Sequence, residues 1–152
     1  MASFEEVADE YDTGRPDYPA GLYDALGPLA GQLVLDVGAG AGIATRQLLG
    51  RGASVFAVDP GRAVLARAAQ RTAGLRAVVA DGAILPVRDG SVDLICFAQA
   101  WHWLDPVTRC LEAHRVLRNG GRWTSQRCPS PTGAGCSAPV AGWSTNGSPV
   151  GP

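Results

Sequence analysis

A chain of 152 residues with 46% hydrophobic content is one domain at most, with enough apolar side chains to bury a core. Its net charge of −1, from 14 acidic residues against 13 arginines and no lysine, favours no broad binding to nucleic acid or anionic membranes. No apolar run reaches membrane-spanning length, and the acidic start Ser3-Phe4-Glu5-Glu6 lacks a signal-peptide core, so a soluble cytoplasmic protein is expected. Cys96, Cys110, Cys128 and Cys136 show no paired metal spacing, and neither a metal site nor a disulfide framework is expected.

Residues 1–32 read as an N-terminal helical lid segment. Ser3 with Glu6 three residues on makes a capping box for a helix over 3–11, and Phe4, Val7, Ala8 and Tyr11 share one face of it. The turn-rich run Tyr11 to Pro19 follows, then a short helix over 20–26 closed by Gly27-Pro28.

A domain over 33–123 comes next. Leu33–Val37 is an apolar strand that runs into glycine at every second position, Gly38, Gly40 and Gly42, and residues 43–49 then read as helix up to Gly50. Strand, glycine turn and helix form a nucleotide-binding βα unit, in which the backbone comes close to a ligand and a helix start faces an anionic group. The dinucleotide fingerprint would need Gly or Ala where Ile43 stands. The pattern here is instead an acid, Asp36, two residues before three alternating glycines.

Strand two, 54–58, ends at Asp59, and a helix is expected from Pro60, with Asp59 as a second reading its N-cap and Val64, Leu65, Ala68 and Ala69 on its inner face. Strand three, 75–80, ends at Asp81-Gly82. Strand four, 92–98, ends at Gln99. Asp105 caps a further helix with Pro106 at its first position; Val107, Cys110, Leu111, His114 and Leu117 mark its expected buried face, and Asn119-Gly120-Gly121 its stop. Strands alternating with helices predict an α/β, Rossmann-like parallel sheet with helices on both faces. Ligands bind beyond the carboxyl ends of such strands, where Asp36, Asp59, Asp81 and Gln99 gather. His102, between Trp101 and Trp103, is the one candidate general base; the competing reading is an aromatic cluster that packs.

From Thr124 the composition changes: fifteen of the 29 residues 124–152 are Gly, Pro or Ser and none is acidic, which predicts a disordered tail.

Residues 3–123 resemble the class I S-adenosylmethionine-dependent methyltransferases, the methyltransferase type 11 branch similar to trans-aconitate-type small-molecule enzymes. The segments that carry the resemblance are Tyr11 to Pro19, Leu35 to Gly42, Ala57-Val58-Asp59-Pro60, Asp81-Gly82-Ala83 with Leu85-Pro86, Ser91-Val92-Asp93, Ala98 to Trp103 and Arg115 to Gly121, in order and at the right spacing. The resemblance implies S-adenosylmethionine as cofactor. Gly38, Gly40 and Gly42 would line its methionine and ribose part, with Asp36 near the ammonium group. Asp59 would accept the ribose hydroxyls. Asp81 would accept the adenine amino group, with backbone N–H of Gly82 and Ala83 reading ring nitrogen. Gln99 would lie beside the methionine moiety, Arg15 would meet its carboxylate, and Trp101 and Trp103 would lie where the methyl acceptor approaches.

The resemblance fades after Gly121. The family continues with a fifth strand and a closing hairpin, whereas here Arg122-Trp123-Thr124 begins something strand-like and then dissolves, and the polar, Gly/Pro/Ser-rich tail reads like a shifted reading frame. The sheet is therefore expected to lack its last strands, to leave strand four as an open edge, and to make the chain a poor enzyme. The functional expectation is a methyltransferase acting on a small molecule by in-line displacement, with no nucleic-acid or membrane partner. The alternatives are a catalytically inactive, truncated remnant that keeps the cofactor site and, less favoured, an NAD-dependent oxidoreductase.

Overall fold

A computed structural model describes residues 17–98, 104–126 and 140–141. In chain order the elements are α1 (Ala20–Asp24), β1 (Leu33–Val37), α2 (Ile43–Leu49), β2 (Ser54–Asp59), α3 (Arg62–Arg71), β3 (Arg76–Val79), β4 (Val92–Ala98), α4 (Pro106–Val116), β5 (Leu117–Gln126) and β6 (Val140–Ala141). The strands lie in the order β3-β2-β1-β4-β5-β6. The first five are parallel, and β6 is a two-residue antiparallel addition to β5. Strand order reverses between β1 and β4, the place where a parallel sheet opens a crevice for a ligand.

The strands are apolar on both faces because both faces are covered. Successive side chains of β1 and β4 alternate, so Val34, Leu94 and Cys96 pack under α1 and α2. Leu35, Ile95 and Phe97 pack on the other side with Ala113 and Val116 of α4 and with Leu85 from the β3–β4 connection. All eight of these strand and helix residues, and Leu85, are 3% exposed or less.

The predicted spans 33–37, 43–49 and 92–98 coincide with β1, α2 and β4. Four expectations need correction. First, β4 is not an open edge: β5 pairs with it from Val92 to Ala98. The Asn119-Gly120-Gly121 run does not stop a helix. It lies in a bulge between Leu117, opposite Val92, and Arg122, opposite Leu94, with Gly120 at φ +78°. Beyond the bulge Trp123 packs edge-on against Phe97, and Thr124 and Ser125 are buried.

Second, residues 124–126 therefore belong to β5, and 140–141 to β6, rather than to a structureless tail; the rest of 124–152 lies outside the described residues. Third, α3 starts at Arg62 with Gly61 as its cap residue, so neither Pro60 nor Asp59 opens it, and Ala69 faces solvent. Fourth, the face expected to be buried on α4 is turned outward: Val107 and Leu111 are 67% and 66% exposed, and Cys110 and His114 are exposed as well. Leu117 is buried as expected, but in β5. The helix predicted over 3–11 lies outside the described residues. Among the described residues no helix is long and apolar enough to cross a membrane.

Candidate functional site

The glycine loop is shaped by backbone bonds to its neighbour strand. Leaving β1, the N–H groups of Gly38 and Ala39 both donate to the Val58 carbonyl, at 2.8 and 3.1 Å. Gly38, Gly40 and Gly42 have φ of +74°, +53° and +82°, a region closed to most side chains. Gly42 donates to Ala39 O and then starts α2 without any side-chain cap. Arg46, one turn into α2, returns its guanidinium to the Ala41 carbonyl at 2.9 Å.

Asp59 ends β2 beside this loop. Its Oδ2 accepts from Gly40 N–H at 2.9 Å and its Oδ1 from Gly61 N–H at 2.7 Å. Each carboxylate oxygen keeps a further lone pair, so the two backbone donors orient the group without exhausting it. The same residue's carbonyl accepts from Ala80 N–H at 3.2 Å, which places the end of β3 next to it. Asp81 follows, exposed, with its Oδ1 accepting from Ala83 N–H at 2.9 Å and its carbonyl from Ile84 N–H at 3.1 Å. Ala83 N–H is thus engaged by Asp81 itself. Gly82 is buried: a Cβ there would stand 3.0 Å from Val37 Cγ1 and 3.1 Å from Leu104 Cδ2. Leu104, the first described residue after Ala98, lies beside Gly82.

Asp36 sits deeper than its neighbours. It is the fourth residue of β1 and fully buried. Its Oδ2 accepts from the Thr45 hydroxyl at 2.5 Å, and its Oδ1 is buried without a hydrogen-bond partner. Burial pushes its carboxyl up to about 6; the nearby Asp59 charge acts in the same direction, and the Thr45 bond opposes both. Thr45 was not singled out by any motif. The signal for it is a polar residue between Ala44 and Leu48 on the buried face of α2.

The structure therefore gathers Asp36, Gly38, Gly40, Gly42 and Asp59 at the adjoining ends of β1 and β2, and carries Asp81, Gly82 and Ala83 beyond the end of β3. Arg15, Gln99, Trp101, His102 and Trp103 lie outside the described residues. Asp105 is the helix cap it was expected to be, its Oδ2 accepting from both the N–H and the hydroxyl of Thr108 at 2.8 Å. Those bonds hold its carboxyl below the ordinary range. Among the described residues no cluster of His, Cys, Asp or Glu suits a metal ion.

Comparison with known proteins bears on this rim. A methyltransferase domain model matches residues 35–124. An uncharacterized methyltransferase of Mycobacterium tuberculosis is 44% identical over 123 residues, covering 79% of this chain and 49% of that protein. The demethylmenaquinone methyltransferase of Beutenbergia cavernae is 32% identical over 128 residues, 78% of this chain and 53% of that one. A solved structure, an S-adenosylmethionine-dependent methyltransferase from Mesorhizobium loti, superposes with a TM-score of 0.64 at 29% identity, over 70% of this chain and 51% of the other. The chain spans about half the length of the curated relatives it matches.

Proposed function

Since the chain belongs to the methyltransferase domain family, we propose that the rim at the ends of β1, β2 and β3 binds S-adenosylmethionine and serves methyl transfer to a small molecule. The observation that carries this reading is Asp59, a carboxylate turned toward the glycine loop by the Gly40 and Gly61 N–H groups. A pair of vicinal hydroxyls suits its remaining lone pairs. The fit extends along the rim. Nothing lies within 4 Å of where a Cβ of Gly40 would stand, so the loop leaves room for a ligand against bare backbone.

Asp81 keeps its Oδ2 for an adenine amino group while Oδ1 holds the turn. Since Ala83 N–H serves that turn, backbone recognition of a ring nitrogen falls to Gly82. Asp36 acts from behind the loop, as a buried negative charge that favours a cationic ligand. Arg15 and Gln99 are assigned to the methionine end. Bound S-adenosylmethionine supplies a methyl group on a sulfonium, open to in-line displacement by an oxygen, nitrogen or carbon nucleophile.

The acceptor side is assigned to residues 99–103, which join the end of β4 to Leu104 beside Gly82. Trp101 and Trp103 offer apolar area to a small molecule there, and His102 would take the proton of an acceptor that carries one. The likeness to a demethylmenaquinone methyltransferase supports a small-molecule acceptor.

Calorimetry tests the cofactor site. S-adenosylhomocysteine, the demethylated product, should bind the parent, and Asp59→Ala and Asp81→Ala should each weaken it at least tenfold. Equal affinity in all three proteins would overturn the assignment. Methyl transfer from labelled cofactor, compared across small-molecule, protein and RNA acceptors, tests the acceptor class.

A further inference from the structure

The connection from β3 to β4, residues 80–91, contains no helix or strand, yet it carries the Asp81-Gly82-Ala83 turn. A loop of this length holds one conformation only if something outside it fixes the backbone. Two side chains of α4 do so. Arg115 donates through Nη2 to the Leu85 carbonyl at 2.8 Å, and through Nη1 to the Val87 carbonyl at 3.0 Å and to Asp89 Oδ1 at 2.7 Å. Its Nε and Nη2 also meet the two carboxylate oxygens of Glu112 at 2.8 Å each. Glu112 Oε2 in turn accepts from Leu85 N–H at 2.7 Å.

Leu85 is thus gripped on both sides of its backbone, N–H by the acid and C=O by the guanidinium, while its side chain is buried. One residue upstream, Ile84 N–H closes onto Asp81 O, so the Asp81 turn ends at this grip. At its other end Ala80 N–H is tied to Asp59 O. The paired fork geometry is specific to arginine; a lysine keeps the charge and loses the two-sided contact. Glu112 is held below the ordinary carboxylate range, first by its bond from Arg115, so the pair stays ionised at neutral pH.

We propose that Glu112 and Arg115 are positioning residues for nucleobase recognition: from α4 they set the Asp81–Ala83 turn so that the site distinguishes adenine from a base lacking the 6-amino group. This rests on the reading of Asp81 as the adenine acceptor.

The test compares calorimetric affinity for S-adenosylhomocysteine with that for S-inosylhomocysteine, in which the 6-amino group is replaced by an oxo group. The 152-residue parent should prefer the adenine form, and Asp81→Asn should abolish the preference. Arg115→Lys and Glu112→Gln should each compress it at least fivefold. A loss of folded fraction weakens both ligands equally and leaves their ratio untouched, so the ratio separates positioning from mere stability. If Arg115→Lys does not fold, Glu112→Gln decides. A preference lost in Asp81→Asn but kept in the clamp variants overturns the clamp alone. A parent that binds neither ligand, or an Asp81→Asn protein that keeps the preference, overturns the site reading and this proposal with it.

Discussion

The crossover helices α2 and α4 sit on opposite faces of the sheet and are held there by different forces. α2 buries Ala44, Thr45 and Leu48 against β1, β2 and β4, and its fully buried polar residue, Thr45, is bonded to Asp36. α4 buries only Ala113 and Val116, turns Val107 and Leu111 to solvent, and spends Glu112 and Arg115 on the backbone of Leu85 and Val87 and on the Asp89 carboxylate. Apolar area seats the first helix. In the second, a polar grip of six hydrogen bonds to the loop and within the pair chooses which of two apolar stripes faces in. The lesson is that a helix need not bury its bulkiest stripe when inward charges find complete partners.

The sharpest way to break this contrast is a matched pair of truncations. Leu48 is fully buried, and Leu48→Ala should cost about 2–5 kcal/mol in urea unfolding. Leu111→Ala, the same chemical change on α4, should stay within about 0.5 kcal/mol of the parent. A comparable loss at both sites would mean that the outer stripe of α4 is covered in solution, and the distinction between the two helices would fall.

The same contrast shows what could be read from the residues alone. Leu33–Val37, Ile43–Leu49 and Val92–Ala98 were legible because apolar runs and alternating glycines are local signals, and the bonds that shape the loop are made by its immediate neighbours. The orientation of α4 was not legible. Val107, Cys110, Leu111 and His114 follow a helical period as well as the stripe that is buried, and the side chains that break the tie act on residues 26 or more positions upstream. β5 was hidden by Asn119-Gly120-Gly121, which signals an end to structure and here forms a bulge. In the site, Asp59 and Asp81 stood out because each terminates an apolar run, and Asp36 because it stands two residues before the alternating glycines. Thr45, Glu112 and Arg115 did not, since their roles exist only through contacts made by the fold.

A second measurement sharpens the α2 side of the comparison, where a charge is buried rather than clamped at the surface. The Asp36 carboxyl is pushed up to about 6 in the folded chain, against 3.8 as its ordinary value. The folded state therefore holds this proton more tightly than the unfolded state does. Its contribution to stability is present below the ordinary value and is lost as pH rises through about 6. Relative to Asp36→Asn, which cannot titrate, the parent should gain on the order of 1 kcal/mol of unfolding free energy between pH 8 and pH 5. Urea titrations of both proteins at the two pH values check this. Parallel pH dependence in the two would mean that Asp36 meets a compensating group on ionisation.

The smallest expected effect concerns how the two helices begin. α4 has a side-chain cap in Asp105 and Pro106 at its first position, so its start is chemically specified. α2 has neither; its start is fixed by Gly42 at φ +82° and by Gly42 O accepting from Arg46 N–H at 2.9 Å. A Cβ at Gly42 would stand 3.2 Å from Ala68 Cβ, on α3, and 3.3 Å from the Arg46 guanidinium that closes the loop. Gly42→Ala should therefore cost about 1 kcal/mol of stability from the left-handed backbone alone. It should cost more in S-adenosylhomocysteine affinity than in stability, because the added methyl also presses on the Arg46 side chain that holds Ala41 in place. Gly40→Ala separates the two contributions: its φ is +53°, and nothing lies within 4 Å of the added Cβ. The backbone penalty is shared by both variants, so a larger stability loss at Gly42 isolates the packing of α3 against the loop. Equal losses would show that backbone conformation alone sets the start of α2, leaving Ala68 free to move aside.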